Sequence, residues 1–237
     1  MYNVSYLINS GFAVRTSKHL LIFDYYDTKN PGGLKEGAID PNEFIDEDVI
    51  VFISHNHPDH FCDGVFDWQL IKEDIRYVVS SDVPGYPPDA IVMGPDEKRA
   101  EKDFTVTTLL STDEGVAFIV EIDGLVIYHA GDLNLWLWDD ETEEFIREQK
   151  KIFKSAMKKL REFEIDLAFI PLDPRLEENY LETMDVMMKN LDIKRAVPMH
   201  FMEADHVIDW MYNDSRSYSY RDRIIKLTER GQDATVI

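Results

Sequence analysis

Three histidines and an aspartate fall within six positions of this chain, as His55, His57, Asp59 and His60. The whole chain has only seven histidines, so their density here is not a property of the composition. Imidazoles and a carboxylate held this close suit zinc or a similar borderline metal. In an extended chain His55 and His57 point the same way, because side chains repeat every two residues. Pro58 then bends the chain and can bring Asp59 and His60 to a second position nearby. A polar loop rich in histidine is the plain alternative. It does not explain why five apolar residues, Val49 to Ile53, run straight into the cluster as a strand buried on both faces.

The elements that must position these residues alternate between strand and helix. Tyr2, Val4, Tyr6 and Ile8 alternate with other residues as a half-buried strand does. A turn at Ser10 and Gly11 leads to residues 12–14, and residues 20–23 form a strand ending in Asp24. Residues 28–42 hold Pro-Gly and Gly-Gly and read as a loop. Shorter strands are predicted at 90–93 and 104–110. Asp123-Gly124 between the apolar runs 116–122 and 125–128 signals a hairpin, since both residues tolerate positive φ.

Residues 141–163 carry apolar side chains at spacings of three and four, with acids at the start and bases in the last turns. That predicts a helix. A buried strand at 165–170, a helix at 180–190, a strand at 195–199 and a final helix at 220–230 complete the reading. Strand after strand is followed by a potential metal ligand: His55, Asp132 and His200. Sites in α/β sheets gather at the carboxyl ends of strands.

Composition narrows the function classes. At 237 residues, 44% hydrophobic and 12% aromatic, the chain can build a substantial core. A net charge of −21 and the absence of a basic stripe argue against nucleic acid or an anionic membrane as partner. No apolar run approaches the roughly 18 residues of a membrane span. The start of the chain has no basic segment followed by an apolar one, as a secretory signal does. One cysteine, Cys62, excludes an internal disulfide framework. A cytoplasmic protein acting on a small molecule is expected; the oligomeric state is not assigned by the sequence.

His55-x-His57-x-Asp59-His60, followed by Gly131-Asp132 and by His200 after a strand, resembles the metallo-β-lactamase superfamily of metal-dependent hydrolases. The resemblance covers nearly the whole chain, including Ser10-Gly11-Phe12 and Ile22-Phe23-Asp24. Residues 127–132 look most like a branch that includes ascorbate-6-phosphate lactonase. The resemblance implies one αββα domain over residues 1–237, with two mixed sheets flanked by helices. It implies that His55 and His57 hold a first metal, that Asp59, His60 and His200 hold a second, and that Asp132 bridges them. It also implies that water activated there attacks an ester, lactone, amide or phosphodiester; Asp59 and Asp132 would be the residues closest to the chemistry.

The chain departs from the pattern once. No histidine lies between His60 and His129, where the superfamily usually supplies another; the stretch reads Ser111-Thr112-Asp113. Asp113, or less readily Glu114 or Ser111, can substitute and give a harder site favouring Mn²⁺ or Fe²⁺ over Zn²⁺. Alternatively one ion rests on Asp59, His60, Asp132 and His200, since four ligands suffice. In a third outcome catalysis is lost and a metal- or ligand-binding protein remains.

Other residues are candidates of lower weight. His129 is a candidate substrate group or a satisfied histidine beside the site. Trp136, in Trp136-Leu137-Trp138, is an aromatic lid or packing. Arg175 can bind a substrate carboxylate or phosphate by its planar fork, or pair with Asp173 or Asp24. Cys62 reads as packing, His19 as a surface residue and His206 as a rim residue. A metal-dependent hydrolase of a small, anionic ester or lactone is the leading function. A phosphodiesterase and a non-catalytic binding protein are the alternatives.

Overall fold

β1 (Tyr2–Ile8), β2 (Gly11–Arg15), β3 (His19–Phe23) and β4 (Asp48–Ile53) fall where the apolar patterns place them. The computed structural model describes residues 1–237. It contains two compact units, one of Met1–Gly94 with Leu227–Ile237 and one of Pro95–Lys226.

The first unit is built on a seven-stranded mixed sheet. β5 (Arg76–Ser80), β6 (Ile91–Met93) and β13 (Asp233–Val236) join the first four strands in the order β13-β1-β2-β3-β4-β5-β6. The pairs from β3 to β6 are parallel and those from β13 to β3 antiparallel. β3 is buried throughout, and β4 from Val49 onward, which is why their sequences are continuous rather than alternating apolar runs. Leu20, Ile22, Val49, Val51 and Ile53 share one core with Tyr25, Phe61 and Trp68. Burying each such aliphatic side chain contributes about 1.5–3 kcal/mol. The register Phe23↔Phe52 sets the carboxyl ends of β3 and β4 side by side.

The second unit holds a six-stranded mixed sheet and three α-helices. Its strands are β7 (Lys98–Ala100), β8 (Phe104–Leu110), β9 (Val116–Ile122), β10 (Leu125–His129), β11 (Glu164–Pro171) and β12 (Asp192–Met199), ordered β12-β11-β10-β9-β8-β7. The predicted hairpin joins β9 to β10, with Asp123 at φ 49° and Gly124 at φ 76°. Positive φ at both turn residues twists the strands in the sense the sheet requires. β10, β11 and β12 are parallel neighbours, so their carboxyl ends share one edge.

The helices are α1 (Glu143–Leu160), α2 (Glu182–Asn190) and α3 (His206–Asn213). α1 starts at Glu143, two residues later than expected, where the Thr142 hydroxyl accepts from Phe145 N and fixes the first turn. Each sheet is mixed and the class is α/β, as the sequence implies. No helix is long and apolar enough to cross a membrane.

Three expectations are corrected. Residues 220–230 do not form a helix. Ile225 N donates to Ala196 O, and the Arg223 guanidinium donates to Ile193 O and Met188 O. These tertiary bonds to β12 and α2 outweigh a short helix's propensity. Residues 28–42 are not a bare loop but hold two 3₁₀ turns, Leu34–Glu36 and Pro41–Phe44. His19 is buried rather than at the surface, with Nε2 3.6 Å from an Asp48 oxygen.

Candidate metal centre

In the first unit the donors gather in the loop after β4. The ligand atoms of His55 and His57 lie within 4.8 Å of one another, as do those of Asp59 and His60. The His55 ring centroid is 4.6 Å from that of His57 and 4.1 Å from that of His60. The loop tightens after Pro58: His60 N and Phe61 N both donate to His57 O. That turn brings His60 Nε2 to 3.8 Å from Asp59 Oδ2. Asn9, in the turn after β1, donates through Nδ2 to Asp59 Oδ2 at 3.1 Å.

Asp24 holds this loop from behind. It follows β3 as Ser54 follows β4, and the parallel register brings them together. Its carboxylate accepts from Ser54 N at 2.8 Å, from Ser54 Oγ at 2.6 Å and from His60 Nδ1 at 2.8 Å. It is fully buried, at φ 42°. Left-handed backbone at a buried aspartate is uncommon and persists only where the surroundings fix it.

The contacts assign the imidazole tautomers. Three contacts from N–H and O–H groups converge on the Asp24 carboxylate, an arrangement that suits a group that only accepts, and that puts the His60 hydrogen on Nδ1. Ser54 gives its one hydroxyl hydrogen to Asp24, so it accepts from His55 Nδ1 at 2.9 Å. In the neutral ring each histidine then presents the Nε2 lone pair. A carboxylate behind a histidine raises its basicity as a metal ligand.

The second unit repeats the device. Asp132, Asp173 and His200 follow β10, β11 and β12, whose carboxyl ends lie together. Asp173 Oδ2 is 3.1 Å from His200 Nδ1, and His200 Nε2 is 3.4 Å from Asp132 Oδ1. All three are at most 4% exposed, and His200 sits at φ 64°. Burial alone would raise the Asp173 carboxyl; hydrogen bonds from His200 and Arg175 outweigh it and hold the group below its usual range. Asp173 therefore stays ionised and assigns the hydrogen of His200 to Nδ1. An imidazole nitrogen beside a carboxylate oxygen is a donor set that fits a divalent borderline metal.

The remaining predicted residues fall in distinct places. Arg175 grips Asp173 through Nε and Nη2 and lies 5.7 Å from the Trp138 ring centroid, with its side chain 56% exposed. His129 is fully buried, and its Nδ1 accepts from Gly131 N at 3.2 Å. It therefore carries its hydrogen on Nε2, the opposite tautomer to His200. Trp136 is only 5% exposed, so it is not an open lid. Asp113 is exposed, with its N–H donating to Ser111 Oγ. Thr112, beside it, is buried and bonded to the Asp132 loop: Oγ1 is 2.6 Å from Asn134 O and 3.1 Å from Asp132 O. His206 is exposed on α3 against Trp210.

Asp24 and Asp173 are the site residues that the sequence reading left without a role at the histidines. Each follows an apolar strand, the same signal that marked His55 and His200. Residues 28–41 and 62–71 of the first unit line a groove of about 1110 Å³. Glu36, Asp40, Asp63 and Asp67 face it with a single lysine, Lys29. Cys62 also lines it, half-buried against the first-unit core, with Sγ 3.2 Å from Thr28 Oγ1.

Residues 3–148 match the family described as the β-lactamase superfamily domain. A UPF0173 metal-dependent hydrolase of Thermococcus onnurineus (strain NA1) is 27% identical over 219 residues, covering 85% of each chain. Among solved structures, Igni18, a metallo hydrolase of Ignicoccus hospitalis KIN4/I, superposes with TM-score 0.66 at 16% identity, covering 98% of this chain and 97% of its own. The metallo-β-lactamase fold protein YhfI of Bacillus subtilis superposes with TM-score 0.59 at 13% identity, covering 98% of each chain. At these identities the structural likeness speaks for the fold.

Proposed function

The chain belongs to the β-lactamase superfamily domain family, and from that premise we propose a metal-dependent hydrolase whose ions are held by His55, His57, Asp59, His60, Asp132 and His200. The two units serve in this reading as one catalytic domain. The observation that carries it is the repeated carboxylate–histidine pair, Asp24 with His60 and Asp173 with His200. Buried carboxylates behind buried imidazoles are costly unless a function uses them, and metal sites use them to fix tautomer and basicity.

A bound divalent ion supplies an activated water at neutral pH and a Lewis acid for the scissile carbonyl. The chain's own residues do the rest. Asp24 and Asp173 keep the hydrogens of His60 and His200 on Nδ1. Asn9 orients Asp59 by its amide. Asp132 places a carboxylate beside His200 Nε2, where it can also accept a proton from attacking water. Zn²⁺ suits the imidazoles and Mn²⁺ or Fe²⁺ suits a carboxylate-rich set.

The substrate in this reading is a small, anionic ester or lactone, the lactone being suggested by the likeness of residues 127–132 to the ascorbate-6-phosphate lactonase branch. The exposed edge of Arg175 supports the anionic group. The acidic lining of the first-unit groove makes that groove the wrong place for it. Turnover of a panel of lactones, esters and phosphodiesters with added Zn²⁺ or Mn²⁺ tests the proposal. Lactone or ester turnover that is abolished in Asp59→Ala supports it. Turnover confined to phosphodiesters would move the assignment to a phosphodiesterase, and an intact metal-bound protein that turns over nothing would make it a binding protein.

A further inference from the structure

We propose that Trp136 is a positioning residue that fixes both Asp132 and His200 through one indole. This rests on the reading of those two residues as metal ligands. The indole Nε1 donates to Asp132 O at 3.1 Å, and the same ring meets the His200 imidazole edge-on, with centroids 5.4 Å apart and planes at 67°.

The competing donor to Asp132 O is the Thr112 hydroxyl. It has one hydrogen, and Asn134 O at 2.6 Å is nearer than Asp132 O at 3.1 Å. The indole N–H has one hydrogen and no lone pair, so its bond to Asp132 is undivided. His200 needs such support, because its backbone is in the left-handed region, which a non-glycine residue holds only under constraint. Asp173 fixes the imidazole at Nδ1. Trp136 blocks rotation of the ring about that contact by closing one side of it.

Trp136 is itself held rigidly. Trp138 stacks on it at 5.7 Å and 10°, and Arg175 lies over Trp138 while gripping Asp173. His200, Asp173, Arg175, Trp138 and Trp136 thus form a closed ring of contacts. The strap carrying both tryptophans is pinned where Leu135 N donates to Thr183 Oγ1 and Asn179 Nδ2 donates to Leu137 O. Trp136 therefore acts on the ligands from a buried position.

The test compares Trp136→Phe, which keeps a ring and loses the donor, with Trp136→Leu, which loses both. Trp210→Phe is the control, because Trp210 is half-exposed on α3 against Tyr180 and His206 and takes no part in that ring of contacts. The purified full chain is stripped and titrated with Zn²⁺ against a chromophoric chelator, and the Co²⁺-loaded form is read by its visible spectrum. Trp136→Phe is expected to weaken Zn²⁺ binding about 10-fold and Trp136→Leu up to about 100-fold, the range for residues that orient metal ligands. The Co²⁺ bands should shift in both, with Trp210→Phe within about twofold of wild type. A merely structural role would lower the melting temperature of the metal-free protein and leave the affinity and spectrum unchanged. In parallel, solvent exchange of the His200 Nδ1 hydrogen is measured by NMR on metal-free protein; it should accelerate in Trp136→Leu. Wild-type Zn²⁺ affinity in both Trp136 variants, with unaltered His200 exchange, overturns the proposal. A wild-type chain that binds no Zn²⁺ overturns the metal reading instead, and His200 exchange then decides the role of Trp136.

Discussion

The carboxylate of Asp24 lies 2.8 Å from Nδ1 of His60, and neither side chain is more than 1% exposed. The pair exists because β3 and β4 are parallel and in register, so that the residue after one strand meets the loop after the other. Asp24→Asn keeps the shape and removes the charge. It should weaken metal binding by about 10- to 100-fold. Chelator competition measures this, and an unchanged affinity would remove Asp24 from the account.

Arg175 has two tasks in this account: it anchors Asp173, and its exposed edge reads the substrate's negative group. Arg175→Ala should therefore raise KM more for an anionic lactone than for a neutral one of the same ring size. The loss for the anionic substrate should be about 10-fold or more, the scale of a charge-assisted contact of about 1.5–3 kcal/mol. Equal losses for both substrates would confine Arg175 to its bond with Asp173.

The wall of the first-unit groove depends on Arg230. Its guanidinium donates to Asp27 Oδ2 and to Gly37 O, both at 2.8 Å. Gly37, at φ 64°, packs so closely that an added Cβ would lie 2.6 Å from the Arg230 side chain. Arg230→Ala should speed amide hydrogen exchange across residues 27–41 and leave exchange in the β3–β4 ladder unchanged. Uniform acceleration in both would show that Arg230 supports the whole unit.

Asp214 offers a pH test away from the metal centre. Arg216 donates to its carboxylate and holds it below the usual range, against a smaller opposing effect of burial. A carboxyl depressed in the folded state stabilises the protein above its unfolded pKa of about 3.9. That contribution is lost as pH falls through the depressed value. Asp214→Asn keeps the turn-capping oxygen and removes the charge. Its stability deficit should be constant from about pH 5 to pH 8 and shrink below about pH 4. Denaturant midpoints across that range measure it, and a deficit that grows in acid would reverse the sign.

Much of the site was legible because buried strands announce themselves. The run Val49 to Ile53 marked both β4 and the loop that carries His55 and His57. The same logic found His200 after β12 and Asp132 after β10. Asp24 and Asp173 end strands too, but their partners were not readable, because strand adjacency is a long-range choice. β5 and β13 were missed for a related reason: β5 pairs with β4, and the four-residue β13 pairs with β1 from the far end of the chain. α3 was missed because its eight residues are too few for a clear period. At 220–230 a local pattern suggested helix, and bonds to Ala196, Ile193 and Met188 prevailed.

Whether hydrolysis depends on metal held by these residues is tested by removing the metal and returning it. The purified chain is assayed for bound metal, stripped with chelator and reloaded with Zn²⁺ or Mn²⁺, with hydrolysis of lactones and esters followed at each stage. The expected result is bound metal as purified, loss of hydrolysis on stripping and recovery on reloading, with no recovery in His60→Ala or Asp132→Ala. Hydrolysis that persists in fully stripped protein, or that returns undiminished in both variants, would contradict it.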